Sequence, residues 1–487
     1  MHASRQSAFA IVGLPDAAVQ ESRERVRAGL TNQGFRVPEG KIVANLAPAD
    51  LRKSGPQYDL PIALALIGVG GSLSAASLAG VGAAGELGLD GSVRPIAGAL
   101  SMAEHAARAG WKRLVVPVDN AAEAGLIAGI EIIGVRSLRH AVNILEGHEE
   151  APDHTADINR LLLEGTQARY PDLAEIRGQG AARRALEVAA AGMHSILMLG
   201  PPGGGKTMLA RRLPGLLPAL TTDEAIAVTR IHSAAGLMAP GQALVAARPF
   251  RAPHHTISAP GLVGGGRTPR PGEVSLGHLG VLFLDEVCAF APSVLDTLRQ
   301  PLEEGVVEVT RSMHTARFPA RTLLVAAGNP CPCGHAGDAA VLCTCTPMNA
   351  ERYRSRLSGP VLDRIDLWVN VPRLTRSELT EAQAGESTAT VLARVAAARA
   401  HQHARGQTVA NAELTSDDAG RYADMDAAGR ALLDRAIDSL ALTARGLHRS
   451  IRVSRTIADL AGAERVERAH LAEALGYRSP SGSGWPK

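Results

Sequence analysis

With 487 residues, 46 % of them apolar and 20 % charged, and a mean hydropathy of +0.03, the chain has the profile of a globular protein with material for about three domains. No apolar run reaches the ~18 to 20 residues that span a bilayer, and Leu60–Leu78, which comes nearest, is broken by Pro61, Gly68, Gly70 and Gly71. A formal charge of +3 and 3 % aromatic residues exclude a strongly basic nucleic-acid-binding tail and a long base-stacking channel.

Residues 1–147 alternate short apolar runs (Phe9–Val12, Ile62–Ile67, Leu114–Val118, Ile130–Val135) with Gly/Pro turns. Helical stretches such as Ala99–Ala109 lie between them, so the spacing predicts an α/β domain. The opening residues Met1–Ala10 lack the apolar core of a signal peptide, and a cytoplasmic protein is expected. Residues 148–170, which include the acidic, polar stretch His148–Leu161, read as a linker. Residues 171–372 read as a nucleotide-binding α/β core. Residues 373–477 turn Ala/Arg/Leu/Glu-rich with helical spacing, and 478–487 read as a disordered tail.

Within the core, the apolar strand Ser195–Leu199 runs into Gly200-Pro201-Pro202-Gly203-Gly204-Gly205-Lys206-Thr207 and then an apolar helix. This is G-x-x-x-x-G-K-S/T in its strand–loop–helix setting, the pattern that closes backbone N–H groups around phosphate. Lys206 is the only lysine between Arg113 and Pro486, in a chain whose other cations there are arginines. A flexible point charge suits the β/γ-phosphates where a broad guanidinium fork does not. Thr207 is the expected Mg²⁺ ligand. About 80 residues on, Val281–Leu284 ends in Asp285-Glu286: Asp285 is expected to hold the Mg²⁺ and Glu286 to activate the attacking water. A third strand, Arg321–Ala327, ends at Gly328-Asn329, which sets a polar amide beside the acid pair to position that water.

Four of the five cysteines lie in Cys331-x-Cys333 and Cys343-x-Cys345. Four thiolates suit one tetrahedral Zn²⁺, with His335 as a substitute ligand; free or disulfide-prone thiols are the alternative. Either way the cluster reads as structural, apart from the ATP chemistry. Between the phosphate loop and the acid pair, roughly Ser233–Gly272 is a Gly/Pro/Arg/His-rich insertion. Its Arg248, Arg251, His254, His255, Arg267 and Arg270 are candidates to touch a phosphate backbone; subunit packing is the alternative. Thr310–Arg317 reads as a hairpin aimed the same way.

The strings Arg248–Ser258 (RPFRAPHHTIS), Leu298–Gly305 (LRQPLEEG), Asn329–Gly334 (NPCPCG) and Arg354–Leu367 (RSRLSGPVLDRIDL) resemble the magnesium-chelatase-like branch of the AAA+ ATPases, the ComM/YifB family. The resemblance covers nearly the whole chain. It implies a P-loop AAA+ core and a C-terminal helical lid, with ATP and Mg²⁺ as cofactors. It makes Arg364 the arginine finger that enters the neighbouring subunit's ATP site, with Asp363 beside it, and Arg445 the sensor arginine of the lid that contacts the γ-phosphate. It further implies a hexameric homo-oligomer and DNA, branched or single-stranded, as the polymer, moved by helicase-type branch migration during recombination and natural transformation. Gly328 departs from the family pattern, in which a bulkier residue precedes the asparagine. A metal-chelatase motor subunit and a protein-remodelling ATPase without a DNA role are the rival readings.

Residues 85–145 resemble the proteolytic domain of Lon-type proteases, but the Ser–Lys dyad is missing: Ala99-Leu100-Ser101 stands where the lysine belongs, and Lys53 and Ser54 are sequence neighbours. The expectation is a Lon-like domain without proteolytic chemistry.

Overall fold

A computed structural model describes residues 9–478 other than 167–169, 267–268, 312–313, 339, 358, 376–377, 379–384 and 441. The tail read as disordered lies, from residue 479 on, outside the described residues, as does Arg267. The chain forms two compact units, Met1–Thr166 with Leu220–Ala247, and Gln167–Ala219 with Arg248–Lys487.

In the first unit a parallel sheet has Arg113–Pro117 between Val81–Ala83 and Glu131–Val135, and a separate parallel pair joins Phe9–Val12 to Ile42–Asn45. Parallel neighbours need crossover connections, and the helices Ala99–Arg108 and Val118–Ala124 supply them. Ile62–Ile67, a strand-like run in sequence, lies instead inside the helix Asp59–Val69. That helix is apolar on nearly every side and packs in a core with Leu30, Leu87, Ile133 and Leu138. Asp59 at its start is fully buried and paired with Arg25 at 2.6 Å.

Two further segments differ from the sequence expectation. The stretch read as a linker contains the helix Ile158–Thr166, whose start is capped where Asp157 Oδ1 accepts from the Arg160 N–H at 3.1 Å. The helix Thr222–Ala235 follows the phosphate-loop segment but belongs to the first unit. A capping box between Thr221 and Glu224 starts it; Ser233 O accepts from the Gly98 N–H at 2.9 Å, and Arg230 pairs with Glu104 at 3.1 Å.

The second unit is built on a five-stranded sheet, parallel throughout, in the order Leu367–Asn370, Ile196–Leu199, Leu323–Gly328, Val281–Leu284, Phe250–Arg251. The three central strands are buried along their whole length, which explains their unbroken apolar runs. In such a sheet ligands gather at the carboxyl ends of the strands. Helices Thr388–Ala404, Ser416–Ala423, Ala427–Ser439, Ala444–Leu460 and Arg468–Gly476 make the C-terminal helical part. A buried polar network ties it to the sheet. His194 lies 3.1 Å from Asp366 and 2.7 Å from Thr456 Oγ1; Asn411 donates to Thr456 and Asp459; Asp459 takes both Arg405 and Arg455. Among the described residues no helix is long and apolar enough to cross a membrane.

Candidate nucleotide-binding site

The carboxyl ends of three neighbouring strands carry the residues singled out from sequence. Strand Ile196–Leu199 opens into the loop Gly200–Gly205, where Gly203 (φ +80°) and Gly205 (φ +91°) adopt backbone that only glycine takes readily. A Cβ on Gly200 would collide with the carbonyl of Val371, so the loop also needs glycine for close approach. The loop is held from outside by Gln179, whose Nε2 donates to the carbonyls of Gly204 (3.1 Å) and Pro372 (2.7 Å). Gln179 is buried and left-handed (φ +53°); as a lone amide between two glycines it carries no pattern that sequence reasoning recognises.

Helix Lys206–Arg212 follows. The ammonium of Lys206 donates to Gly200 O (2.8 Å), Pro201 O (3.0 Å) and Asn329 Oδ1 (3.2 Å). Burial lowers its pKa, against the opposing pull of Asp285 and Glu286. Thr207 Oγ1 donates to Asp285 Oδ2 at 2.8 Å. A hydroxyl and a carboxylate in contact at the edge of the phosphate loop are the hard oxygen donors Mg²⁺ takes alongside water and phosphate, so the residues present fit that ion.

Glu286 sits at φ +50°, ψ +48°, with its N–H donating to Asp285 Oδ1 at 3.0 Å. This left-handed step turns its carboxylate out of the buried strand, leaving the side chain 62 % exposed. His255 Nδ1 lies 4.0 Å from that carboxylate, and the His254 ring stands 4.1 Å from the His255 ring. The sequence grouped His255 with phosphate-backbone contacts; the fold sets it beside the acid. Lys206, Thr207, Asp285, Glu286 and Asn329 thus share one strand edge.

Arg364 and Arg445 do not join them. Strand Leu367–Asn370 runs parallel to Ile196–Leu199, with Leu367 opposite Ile196 and Asn370 opposite Leu199. Arg364 precedes the start of that strand, so it lies at the sheet edge opposite Lys206, roughly 10 Å of strand away. It ion-pairs with Glu303, and Arg445 meets Asp363 at 3.5 Å. Both line a cleft of about 550 Å³ that also holds Arg449 and Arg452. Burial and the cations Arg299, Arg445 and Arg449 lower the Arg364 pKa, and Arg478 is pushed down to about 10 by burial and by Arg449. The buried Nε of Arg452 has no partner among the described residues. The same cleft is lined by the carboxylates of Glu303, Glu304, Asp363, Asp366 and Glu413, so its guanidinium groups face an equal set of acids.

The four sulfurs of Cys331, Cys333, Cys343 and Cys345 lie within 4.8 Å of one another. Cys331 is 3.4 Å from Cys333 and 3.6 Å from Cys343, and Cys333 is 3.5 Å from Cys343. Tetrahedral zinc with Zn–S bonds near 2.3 Å calls for sulfurs about 3.8 Å apart. The N–H of Cys333 points at Cys345 Sγ (3.4 Å) and that of Ala336 at Cys331 Sγ (3.3 Å), donors that favour thiolate. The cluster can hold a metal ion. His335 is instead engaged with Asp338 at 3.3 Å. The cluster is expected from sequence to stand apart from the ATP chemistry; in space its turn lies against the phosphate loop, where Gly334 packs on Pro202.

Two of the arginines proposed to touch a polymer are committed inside the protein. Arg248 donates to the carbonyls of Pro218 (2.5 Å) and Leu279 (2.7 Å), and Arg251 makes a two-pronged pair with Glu273 at 2.6 and 2.7 Å. Arg270 is exposed. The expected hairpin forms between Val306–Arg311 and His314–Pro319, with Arg317 paired to Glu308 at 2.9 Å. In the first unit the Lys53 ammonium is used up on the carbonyls of Pro48 and Leu51, and Ser101 lines an apolar cavity with Trp111 and Leu114.

Comparison with known proteins agrees along the chain. Residues 172–379 match the family described as magnesium chelatase, subunit ChlI; residues 1–120 match subunit ChlI of Mg-chelatase, and 385–478 its C-terminal region. The competence protein ComM of Haemophilus influenzae is 42 % identical over 481 residues, 97 % of this chain and 92 % of the relative. The uncharacterized protein YifB of Escherichia coli is 42 % identical over 473 residues (96 % and 91 %), and an uncharacterized protein of Mycobacterium tuberculosis 44 % over 474 residues (96 % and 92 %). With an AAA+-like core, a helical C-terminal part and identity at this level from end to end, the chain belongs to the magnesium-chelatase-like family that includes ComM and YifB.

Proposed function

We propose that the protein is a Mg²⁺-dependent AAA+ ATPase that works as a ring and drives DNA branch migration. One observation carries the reading: Lys206, Thr207, Asp285, Glu286 and Asn329 gather at one sheet edge while Arg364 stands at the other. In this reading ATP lies along Gly200–Gly205, Lys206 neutralises the β/γ-phosphates, and Thr207 and Asp285 hold Mg²⁺, which supplies charge stabilisation at the transferring phosphoryl group. Glu286 takes the proton of the attacking water, and Asn329 orients that water. Arg364 serves the ATP of the next protomer, and Arg445, in the same cleft, serves that γ-phosphate too; hence a homo-oligomer, read as a hexamer. The cysteine cluster holds Zn²⁺.

DNA is the polymer favoured by similarity to a relative named as a competence protein. Recombination and natural transformation are the setting, and the cytoplasm the compartment. The ChlI family matches favour a second reading, a chelatase-type motor subunit acting on a partner that inserts a metal. Purified protein is mixed with forked and four-way DNA and ATP. ATP-dependent strand movement supports the first reading; ATP hydrolysis without it, under any DNA structure, rejects the branch-migration part.

A further inference from the structure

Gly334 is where the cysteine cluster meets the phosphate loop. It follows Cys333 at φ +84°, and a Cβ built there would lie 2.6 Å from Cδ and 2.8 Å from Cγ of Pro202, and 3.8 Å from Cγ of Asn329. Asn329 is the acceptor of the Lys206 ammonium, and only Pro330 separates it from Cys331, which is fully buried. The turn closes on itself where the Gly334 N–H donates to Cys331 O at 2.9 Å. Arg354 Nε holds the Pro330 carbonyl at 2.9 Å, and Arg373 reaches Asp338 at 3.6 Å. Among its described residues the segment after Asn329 has no strand ladder to fix it; its fixed points there include the sulfurs and these polar contacts.

We propose that the cysteine turn is a positioning element of the nucleotide site: closing the four thiolates around one zinc ion seats Gly334 on Pro202 and so holds the phosphate loop and the Asn329 amide in place for the triphosphate. This rests on the zinc reading given above. Ligation of Cys331, Cys333, Cys343 and Cys345 closes a loop of roughly 15 residues and removes its freedom before nucleotide arrives. Without that closure, the ordering cost falls on nucleotide binding itself. Glycine is required at 334 twice over, for its left-handed backbone and for contact with Pro202.

The test uses the full chain. Zinc content is measured by elemental analysis, and the Kd of a fluorescent ATP analogue with Mg²⁺ is measured for zinc-loaded, chelator-stripped and zinc-restored protein and for Gly334→Ala. One zinc per chain is expected, with a Kd about tenfold weaker on stripping and recovered on restoring zinc. Gly334→Ala is expected to keep its zinc and to stay folded at the assay temperature, with a melting temperature lowered by its strained backbone, while its Kd weakens about fivefold or more; zinc retained with the affinity lost is a split that a role in holding the cluster alone would not give. Because coupling between two ligands is reciprocal, the analogue must strengthen zinc retention against a competing chelator by the same factor as zinc strengthens the analogue. Cys343→Ser, at the exposed end of the cluster, gives a second metal-free form whose Kd must match that of the stripped protein. Purified protein without zinc removes the reading on which the proposal stands. Zinc-loaded protein whose stripped form, or whose Gly334→Ala variant, binds the analogue as tightly as wild type overturns the coupling while leaving the zinc site intact.

Discussion

Lys206 and Asn329 come from segments more than a hundred residues apart, yet the ammonium of one lies 3.2 Å from the side-chain oxygen of the other. That contact joins the phosphate loop to the tip of the neighbouring strand.

Lys206→Ala removes the single buried cation among the carbonyls of Gly200 and Pro201. Turnover, read as phosphate release, is expected to fall at least ~100-fold, the scale of one lost electrostatic contact in such a site. Lys206→Arg is expected to fail too, because the guanidinium fork cannot occupy the space that one ammonium shares with three oxygens.

Glu286→Gln keeps the shape of the side chain and removes its basicity. ATP and Mg²⁺ binding are expected to persist while hydrolysis falls about 10² to 10⁴-fold. Normal hydrolysis by this variant would exclude Glu286 as the base.

Arg364→Ala is expected to lose about 10³-fold in rate or more while binding ATP normally. Since Arg364 and Lys206 stand at opposite sheet edges, mixing inactive Arg364→Ala with inactive Lys206→Ala should restore measurable turnover. No recovery in any mixing ratio would argue against a site shared between protomers.

His278 is buried, and its Nδ1 accepts the Arg321 N–H at 3.1 Å. Burial, aided by the Arg321 charge, pushes its pKa down from 6.5 to about 4. Between those values the unfolded chain binds a proton that the folded chain refuses. Stability from this residue is therefore complete above pH 6.5 and declines by about 3 kcal/mol as pH falls to about 4. Urea unfolding followed across that range should show a shallower decline for His278→Asn.

Arg455 is fully buried, pairs with Asp459 at 2.9 Å and donates to the carbonyls of Tyr422, Ala463 and Glu464. Arg455→Ala strands those acceptors, and a loss of about 3 to 5 kcal/mol is expected in denaturant unfolding.

The gathering of the candidate site residues was legible because its parts are local: a glycine loop that permits only certain backbone, and apolar strands that end abruptly in acid or amide. Asn329 needed only a strand and its last residue. What escaped the sequence was nonlocal. Gln179 braces the phosphate loop through two carbonyls, and nothing in a Gly-Gln-Gly step announces this. Ile62–Ile67 is apolar on every side, and such a short run fits a buried helix as well as a buried strand. The commitment of Arg251 depends on Glu273, 22 residues away, which no periodicity links to it. The nearness of the cysteines to Pro202 is likewise a product of strand order, since Leu323–Gly328 pairs beside Ile196–Leu199.

Placing the phosphate loop and the arginine cleft on opposite margins of one sheet gives each copy a front and a back. In the proposed reading the front of one copy meets the back of the next, and such head-to-tail association repeats until the rotation closes on itself or, if it does not close, continues as a helical filament.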